Sequence, residues 1–480
     1  MLSFFSGLSN RNRFLLSAAA AGVGVVFLLC GLISVFRLSE GGVEVKLVLA
    51  LLVGALMLLA VALIRREGCD MSTLMLALLP LGAAFYLRIL CLDYVSPEYE
   101  LTLAPWVDFF RDNGFFAAVR EPIGNFSTPY LYLLAIFSML PLPTIYLVKL
   151  CVMLFDLLLA WGGMRIVRVF RPQSRMPEAA FLLLFLLPTV VLNGVLWGYG
   201  ESMTASLMLL SLASVLENHP LRSVAFSALA FCFSPQAAYV LPVLAVVWFV
   251  QRVRLNHLVA FPVTGLAVML PALLMGKPLG DILGVAYRQM KLDGAFLSLN
   301  APSLFALLPQ PEGGSLFLAV LGIVLALTAA FGMLLLCFRL RRRLRDQELI
   351  LLALLFALTL PFLLPHTRER YFFLAAALSV TIACIDLRRL PTAALCQLAV
   401  VGGYYASLMG KPVFPMWLGA LMVLLSVILL AEDYLPWDFS GRLEALFKGS
   451  KRRERKGSEG SAPGGKRGAQ KAEEKISGNF

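Results

Sequence analysis

Residues 348–386 read "ELILLALLFALTLPFLLPHTRERYFFLAAALSVTIACID", two apolar runs joined by the polar segment "LPHTRERYFF" (364–373). Each run, 348–364 and 371–386, is long enough to enter a bilayer. A charged side chain at the centre of a span costs about 2.5–3.5 kcal/mol, so charges persist there mainly where they line a wet cavity or meet an anion. The stretch therefore predicts a membrane protein with a polar site where the two runs meet.

The composition of the whole chain is that of a polytopic membrane protein. Of its 480 residues, 60% are hydrophobic and 15% are charged, and the mean hydropathy is +0.83, far from the values of a soluble domain. We predict an all-α protein with about fourteen spans, and we interpret the proline-bracketed stretch 129–140 as a re-entrant or interfacial helix. The predicted spans are 14–36, 47–64, 73–92, 145–163, 179–196, 202–216, 221–233, 236–252, 256–275, 315–338, 348–364, 371–386, 392–409 and 415–431.

Basic residues concentrate in alternate connections between these spans. The positive-inside rule places the arginine-rich connections and both termini in the cytoplasm. It places the remaining connections on the opposite, exoplasmic face: 93–128, 197–201, 234–235, 276–314, 365–370 and 410–414. Most of the net charge of +12 is thereby explained by the inner loops and the C-terminal tail, which face anionic lipid, and no nucleic-acid module is indicated. We expect a membrane domain over 1–447 and a basic, disordered cytoplasmic tail over 448–480.

The segment between the two opening runs carries four ionisable residues. Two arginines that flank a glutamate suit bidentate recognition of a phosphate or diphosphate, and the glutamate can hold an arginine in place. The same residues also fit a structural Arg–Glu pair that stabilises a loop. The residues assigned here to phosphate binding are His366, Arg368, Glu369 and Arg370.

The first predicted exoplasmic loop contains the acidic segment "SPEYELTLAPWVDFFRDNGFFAAVREP" (96–122). A carboxylate at the rim of a membrane cavity can accept a proton from a sugar or lipid hydroxyl that approaches to about 2.6–3.2 Å. We expect Glu98 in this role, with Glu100 and Trp106 as substrate-binding residues. The alternative is that these acids simply face water.

Three further motifs fall on the same predicted face. In "WGYGE" (197–201), Glu201 can orient a ligand hydroxyl or cap the following helix. In "FSPQ" (233–236), a proline breaks an apolar region, and Gln236 can donate to a phosphate or hydroxyl, although a plain turn is the alternative. The loop "GAFLSLNAPSLFALLP" (294–309) contributes Asn300 as a further candidate for substrate binding.

Taken in order, these motifs resemble polytopic glycosyltransferases of the GT-C fold, in particular bacterial mannosyltransferase-related membrane proteins. They are more distantly similar to the polyprenyl-phosphoglucose-dependent enzymes of N-glycan assembly. The resemblance runs from about Tyr94 to Pro415. Its carrying segments are "SPEY" with "NFSTPYLYLLA", then "PTVVLNGVLWGYGESM", "FSPQAAYVLP", "SLNAPSLFALLP" and "LPHTRERYFFLAAALS".

The resemblance implies transfer of a hexose from a polyprenyl-phosphate donor to a hydroxyl acceptor on the exoplasmic face, with inversion. The family's catalytic aspartate corresponds to Glu98, and the aspartate of its "WGQCD" motif corresponds to Glu201. Its "FKxQ" cation is replaced by Ser234, and the histidine of its "HER" motif is replaced by Arg368, whereas Glu369 and Arg370 match. A glutamate in place of aspartate moves the base by roughly 1 Å, a displacement that catalysis can register.

We therefore expect an active but divergent glycosyltransferase whose partners are a polyprenyl-phosphate sugar donor, a glycan or lipid-linked acceptor and membrane lipids. No cofactor is expected from the cysteine and histidine spacing, and the need for a divalent metal is open. The alternatives are a non-catalytic GT-C-like protein and a flippase or transporter of a lipid-linked glycan, for which internal repeats are the usual signature. A bacterial inner membrane is the expected location.

Overall fold

The structure, a computed structural model, describes residues 10–124, 126–251, 253–292, 296–308, 315–344 and 347–434. The predicted tail, 448–480, lies outside these residues. The described part is helical almost throughout. It divides into two compact units after Val427, and the described residues of the second unit are the end of the last helix and the turn that follows it.

The described residues of the first half of the chain form nine α-helices. Two single turns of π-helix, Tyr99–Leu103 and Leu192–Leu196, and one 3₁₀ turn, Phe115–Arg120, lie between helices. The α-helices are α1 (Asn10–Leu38), α2 (Val43–Arg66), α3 (Met71–Leu90), α4 (Ala104–Asp112), α5 (Thr128–Met139), α6 (Thr144–Phe170), α7 (Met176–Leu186), α8 (Pro188–Val191) and α9 (Glu201–Leu216).

The described residues of the second half form eleven more α-helices and two very short strands. The helices are α10 (Pro220–Phe233), α11 (Leu241–Val250), α12 (Leu255–Leu258), α13 (Ala260–Leu274), α14 (Leu279–Leu283), α15 (Val285–Leu292), α16 (Leu316–Arg339), α17 (Gln347–Leu363), α18 (Phe373–Ile385), α19 (Leu390–Met409) and α20 (Met416–Ala431). The 3₁₀ turns are Pro235–Tyr239, Leu304–Leu307, Glu369–Phe372 and Leu387–Arg389, and the strands are β1 (Ser298–Leu299) and β2 (Thr367–Arg368).

Within the described residues, seven helical segments are long and apolar enough to cross a membrane. An eighth is obtained if Met176–Leu186 and Pro188–Leu196, bent by 43° at the break between them, count as one span. Six more apolar helices are shorter, with 10–17 residues. The molecule is an all-α integral membrane protein. The seven segments are Phe14–Leu38, Val43–Arg66, Met71–Leu90, Thr144–Phe170, Leu255–Leu274, Leu316–Arg339 and Leu387–Met409.

Each of the fourteen predicted spans overlaps one helix or two or three consecutive helical elements, but among the described residues only seven or eight helical segments have the length of a full crossing. Proline explains several of the short ones, because it removes a backbone donor and cannot continue a helix that precedes it. Pro188, Pro220 and Pro235 each stand at the start of a new helix or 3₁₀ turn. The count of fourteen remains a prediction.

Helices α6 and α9 lie at the centre of the fold and pack closely. Every residue of α9 from Ser202 to Val215 is buried. Close approach is possible because Gly162 of α6 has no side chain: a Cβ added there would lie 2.9 Å from the Cβ of Leu209. Small residues at helix contacts are the usual means of bringing membrane helices together. The start of α9, where Glu201 lies, is therefore held against α6.

Two loops are tied to their neighbours by specific polar contacts. The buried amine of Lys149, on α6, donates to the carbonyl oxygens of Cys91 and Tyr94, 2.6 Å from each. These bonds fix the turn that leads from α3 into the first long loop (residues 93–127). The buried amine of Lys277 donates to the carbonyl oxygens of Val119 and Glu121, 2.9 Å from each, which fastens the second long loop (residues 275–315) to the first.

Strands β1 and β2 pair in parallel and join the second long loop to the segment that carries the arginines. Ser298 is opposite Thr367, and Leu299 is opposite Arg368. The backbone N–H of His366 extends this contact, donating to the carbonyl of Leu297 at 2.8 Å. Sequence analysis, which predicted helices and loops alone, did not anticipate this pairing.

Candidate functional site

A polar cavity of about 60 Å³ lies where the first long loop, the start of α9, the Pro235–Tyr239 turn and the Glu369–Phe372 turn meet. A cavity of this size admits several water molecules, and hence a small polar group. Its walls combine aromatic rings with hydroxyl, amide, carboxylate and guanidinium groups. The lining residues are Phe126, Ser127, Tyr130, Tyr199, Gly200, Glu201, Thr204, Phe233, Ser234, Gln236, Gln289, Arg370 and Tyr371.

Arg370 and Glu201 form an ion pair in the wall of this cavity. The Nε atom of Arg370 lies 3.7 Å from Oε1 of Glu201, and the two side chains are 17% and 13% exposed. The second carboxylate oxygen of Glu201, Oε2, is buried and has no hydrogen-bond partner among the described residues. Buried polar atoms are nearly always hydrogen-bonded. Glu201 therefore keeps a buried oxygen whose capacity to accept a hydrogen bond is unused among the described residues.

Tyr199 connects this ion pair to the first long loop. The Arg370 guanidinium carbon lies 4.8 Å from the centre of the Tyr199 ring, a cation–π distance. The Tyr199 hydroxyl donates to Oε2 of Glu98 at 3.3 Å. Burial raises the pKa of Tyr199, so its hydroxyl keeps its proton and acts as a donor. Glu98, half-buried, is thus one side chain away from the cavity.

Hydrogen bonds with Ser96, with Asn193 and, through Asn193, with Tyr404 hold the "WGYGE" turn in place. The hydroxyl of Ser96, in the first long loop, donates to the carbonyl of Trp197 at 2.6 Å. The backbone N–H of Tyr199 donates to the carbonyl of Asn193 at 3.0 Å, and Asn193 in turn accepts from the hydroxyl of Tyr404 at 2.9 Å. Gly198 has φ of +84°, a conformation that glycine adopts most easily. These bonds set the direction of Tyr199 and Glu201.

Gln236 reaches the cavity because the chain turns sharply at Pro235. The hydroxyl of Ser234 accepts from the backbone N–H of Gln236 at 3.3 Å and begins the 3₁₀ turn Pro235–Tyr239. Ser234 occupies the position at which the resembled family has a cation, and it lines the cavity as well. Among the lining residues that the structure describes, Arg370 is the only one that is a lysine or an arginine.

Seven of the ten predicted site residues do not line the cavity: Glu98 and Glu369 lie close to it, and five others lie elsewhere. Glu100 is exposed. Trp106 packs edge-to-face on Phe126, with 4.9 Å between ring centres, and so stands behind a lining residue. Asn300 donates through Nδ2 to the Ser407 hydroxyl at 3.0 Å.

The other two lie in the segment that carries the arginines. His366 has φ of +57°, and its Nδ1 atom is 2.7 Å from the carbonyl oxygen of Phe296. Arg368 is half-buried and belongs to β2.

Glu369 is also outside the lining and is almost fully buried, at 3% exposure. It lies against α19, since a Cβ added to Gly403 would come within 2.9 Å of the Cβ of Glu369. Burial raises the pKa of Glu369 to about 7, an effect opposed by the neighbouring Arg370 and by a hydrogen bond with Ser407. Four predicted residues thus assemble at or beside the cavity, namely Glu98, Glu201, Gln236 and Arg370.

Sequence analysis missed charged residues buried inside the helices, and it missed the aromatic residues of the cavity wall, including Tyr199. The charged residues include Arg88, Lys149 and Asp156, at 0%, 2% and 0% exposure. A signal was present, because an ionisable residue within an apolar run is itself unusual. Tyr199, by contrast, gave no signal, since a tyrosine near the end of a span is ordinary.

The described residues contain no group of three or more histidine, cysteine, aspartate or glutamate side chains arranged to hold a metal ion. No protein-family model matches the chain, and no curated protein matches it. The fold and the site define a class of protein: an all-α integral membrane protein with a cavity whose wall contains an arginine–carboxylate ion pair. The first and second long loops are fastened to each other by Lys277.

Proposed function

We propose that this protein is a membrane glycosyltransferase. It transfers a hexose from a polyprenyl-phosphate sugar to a hydroxyl group of a cell-surface or lipid-linked glycan. In this proposal the chain crosses a bacterial inner membrane about fourteen times with a GT-C-like fold, its termini are cytoplasmic, and the cavity opens to the exoplasmic face. The observation that carries the proposal is the ion pair of Arg370 and Glu201, which lies in the wall of a polar cavity and is connected to Glu98 through Tyr199.

The donor phosphate is assigned to Arg370. It is the only basic side chain among the described lining residues. A guanidinium binds phosphate oxygens through two parallel hydrogen bonds. A cation at this point stabilises the charge that develops on the phosphate as it leaves, an electrostatic effect that is often the largest contribution to catalysis. Glu201 and Gln236 hold hydroxyl groups of the sugar or of the acceptor.

The proton of the acceptor hydroxyl is assigned to Glu98. As the acceptor oxygen attacks the anomeric carbon, a carboxylate oxygen of Glu98 accepts the hydroxyl proton. The bond between the anomeric carbon and the phosphate oxygen breaks, and its electron pair leaves with the polyprenyl phosphate. The Tyr199 hydroxyl, bound to Oε2 of Glu98, leaves the other carboxylate oxygen to take the proton.

The test is transfer by the purified protein. The protein is incubated in lipid with radiolabelled polyprenyl-phosphate hexoses and extracted envelope glycans, and the label is followed from the lipid phase into glycan. The proposal expects transfer with at least one donor. A protein that binds polyprenyl phosphate yet transfers no label would be the non-catalytic GT-C-like protein of the alternative interpretation.

A transporter or flippase of a lipid-linked glycan is the second candidate, and one observation favours it. The ion pair of Arg88 with Asp156 is fully buried inside the helices, and charged pairs at such depth are frequent on transport pathways. Reconstituted vesicles separate the two functions. Movement of a labelled lipid-linked sugar between leaflets without any change of chemical form would favour transport.

A further inference from the structure

Arg88 and Asp156 form a buried ion pair behind the cavity. Their side chains are both 0% exposed, and Nη2 of Arg88 lies 3.3 Å from Oδ2 of Asp156. The Arg88 guanidinium carbon is 3.7 Å from the centre of the Phe185 ring. Neither residue lines the cavity, so neither touches a ligand there. Burying such a pair costs several kcal/mol per ion, and apolar residues often stabilise a fold equally well. The pair therefore calls for a role beyond stability.

The second oxygen of Asp156 reaches the helix that carries Glu201. The hydroxyl of Ser202 donates to Oδ1 of Asp156 at 2.5 Å, and all the atoms of this contact are buried. Ser202 directly follows Glu201 in the first turn of α9. A hydrogen bond to a charged acceptor is about twice as strong as one between neutral groups. The ion pair thus holds the backbone next to Glu201.

Asp156 also contacts the other side of the "WGYGE" turn. A Cβ added to Gly194 would lie 3.0 Å from Oδ2 of Asp156 and 3.0 Å from Cγ1 of Val152. Only a residue without a side chain allows the π-helical turn Leu192–Leu196 to approach α6 this closely. Residues on both sides of the turn, Gly194 before it and Ser202 after it, are therefore set against the same carboxylate.

We infer that Arg88, Asp156 and Ser202 position Glu201 for its role in the cavity. Arg88 fixes the orientation of the Asp156 carboxylate, Asp156 holds Ser202, and Ser202 sets the start of α9 so that Glu201 meets Arg370 in the wall of the cavity. All three are positioning residues. The inference rests on the proposed function, because it assumes that the cavity binds the phosphate and sugar of a lipid-linked donor.

The experiment measures binding of a polyprenyl-phosphate hexose to the full-length protein in lipid nanodiscs, together with the temperature of thermal unfolding, Tm. Ser202→Ala removes the hydroxyl and keeps the ion pair. Ser206→Ala is the matched control, because Ser206 is equally buried one turn later on α9 and its hydroxyl donates to the carbonyl of Met203 within the same helix. We expect Ser202→Ala to weaken binding about tenfold and also to lower Tm, because it leaves a buried oxygen of Asp156 without its donor. Ser206→Ala should leave binding unchanged.

A double-mutant cycle separates positioning from a general structural effect. If Ser202 acts through Glu201, Ser202→Ala should add little to the loss already caused by Glu201→Gln, because the two substitutions remove the same interaction. Additive losses, or wild-type binding by Ser202→Ala, would overturn the inference while leaving the proposed function intact. Failure of the wild-type protein to bind the donor would overturn both. Asp156→Asn, which keeps an oxygen for Ser202 but removes the charge, gives a second test, with weaker binding expected.

Discussion

The guanidinium of Arg370 lies 3.7 Å from the carboxylate of Glu201, in the wall of a polar cavity. Only one oxygen of Glu201 takes part in this pair. The second oxygen is buried and has no hydrogen-bond partner among the described residues. The function proposed above uses both members of the pair. In that proposal Arg370 binds the phosphate of the donor, and Glu201 accepts a hydrogen bond from a sugar hydroxyl.

Glu98→Gln should reduce transfer by about 100-fold or more, because an amide cannot accept the proton of the acceptor hydroxyl. The measurement is the rate of label transfer at a saturating concentration of donor. The Tm of the variant checks that it is folded. Glu100→Gln is the matched control: it lies two residues away in the same loop, is exposed, and should retain activity. Near-normal transfer by Glu98→Gln would remove Glu98 from the mechanism.

Arg370→Ala should weaken donor binding about 10- to 100-fold, since it removes charge-assisted hydrogen bonds to the phosphate. Arg368→Ala should have a smaller effect, because Arg368 lies outside the cavity lining. Donor affinity is measured in nanodiscs, with Arg120→Ala as a control at an exposed arginine that pairs with Glu121. Equal effects of the Arg368 and Arg370 substitutions would contradict this assignment.

Tyr199→Phe should lower the turnover rate about tenfold and leave donor affinity nearly unchanged. The substitution removes the hydrogen bond to Glu98 but keeps the ring that stacks on Trp197 and faces Arg370. Separate measurement of kcat and KM for the donor tests the prediction. A change confined to KM would show that the hydroxyl serves binding and not the base.

The pH dependence of stability should carry a contribution from Glu369. Its pKa in the folded protein is raised from 4.5 to about 7, chiefly by burial, so the folded state binds this proton more tightly than the unfolded state. The stabilisation is complete below pH 4.5 and is lost as the pH rises through 7.

Because glutamine mimics the protonated carboxyl, Glu369→Gln should unfold near the wild-type Tm in acid. Above neutral pH the variant should become the more stable protein. Glu100→Gln, at an exposed position, should follow the wild type throughout. A difference in Tm between wild type and Glu369→Gln that stays constant with pH would contradict the assignment.

Cysteine labelling tests the sidedness on which the proposed function depends. In a cysteine-free background, single cysteines at Glu100 and Lys411 should react with a membrane-impermeant reagent from the exoplasmic side. A cysteine at Arg342 should react only after the inner face is opened. All three positions are exposed. Labelling of positions 100 and 411 from opposite sides would refute the proposed topology.

The sequence allowed the helices to be predicted well, because apolar runs in a membrane protein have few other structures available to them. The number of full crossings is less predictable from hydropathy. Helices α9 and α10 have apolar compositions, yet they contain 16 and 14 residues, fewer than the roughly 20 that a crossing requires. The mean hydropathy of a span also gives no sign of Arg88 or Asp156, because each is one charged residue among many apolar neighbours.

The site was predictable in part for a physical reason. Three site residues lie at the start of a helix or in a short 3₁₀ turn next to one, namely Glu201, Gln236 and Arg370. Their place in the fold therefore follows from the helix boundaries, which the sequence pattern indicates. Asn300 and His366 belong to irregular backbone with positive φ, and the direction of a side chain there cannot be read from a pattern. Their contacts, with Ser407 and with the Phe296 carbonyl, depend on elements far away in the sequence.

The pairing of β1 with β2 has a mechanical consequence. Ser298 and Leu299 are coupled to Thr367 and Arg368 by backbone contacts, and Arg370 follows only two residues later. A displacement of the Ser298–Leu299 backbone would therefore act on the short segment that carries Arg370, the residue to which the proposed function assigns the donor phosphate.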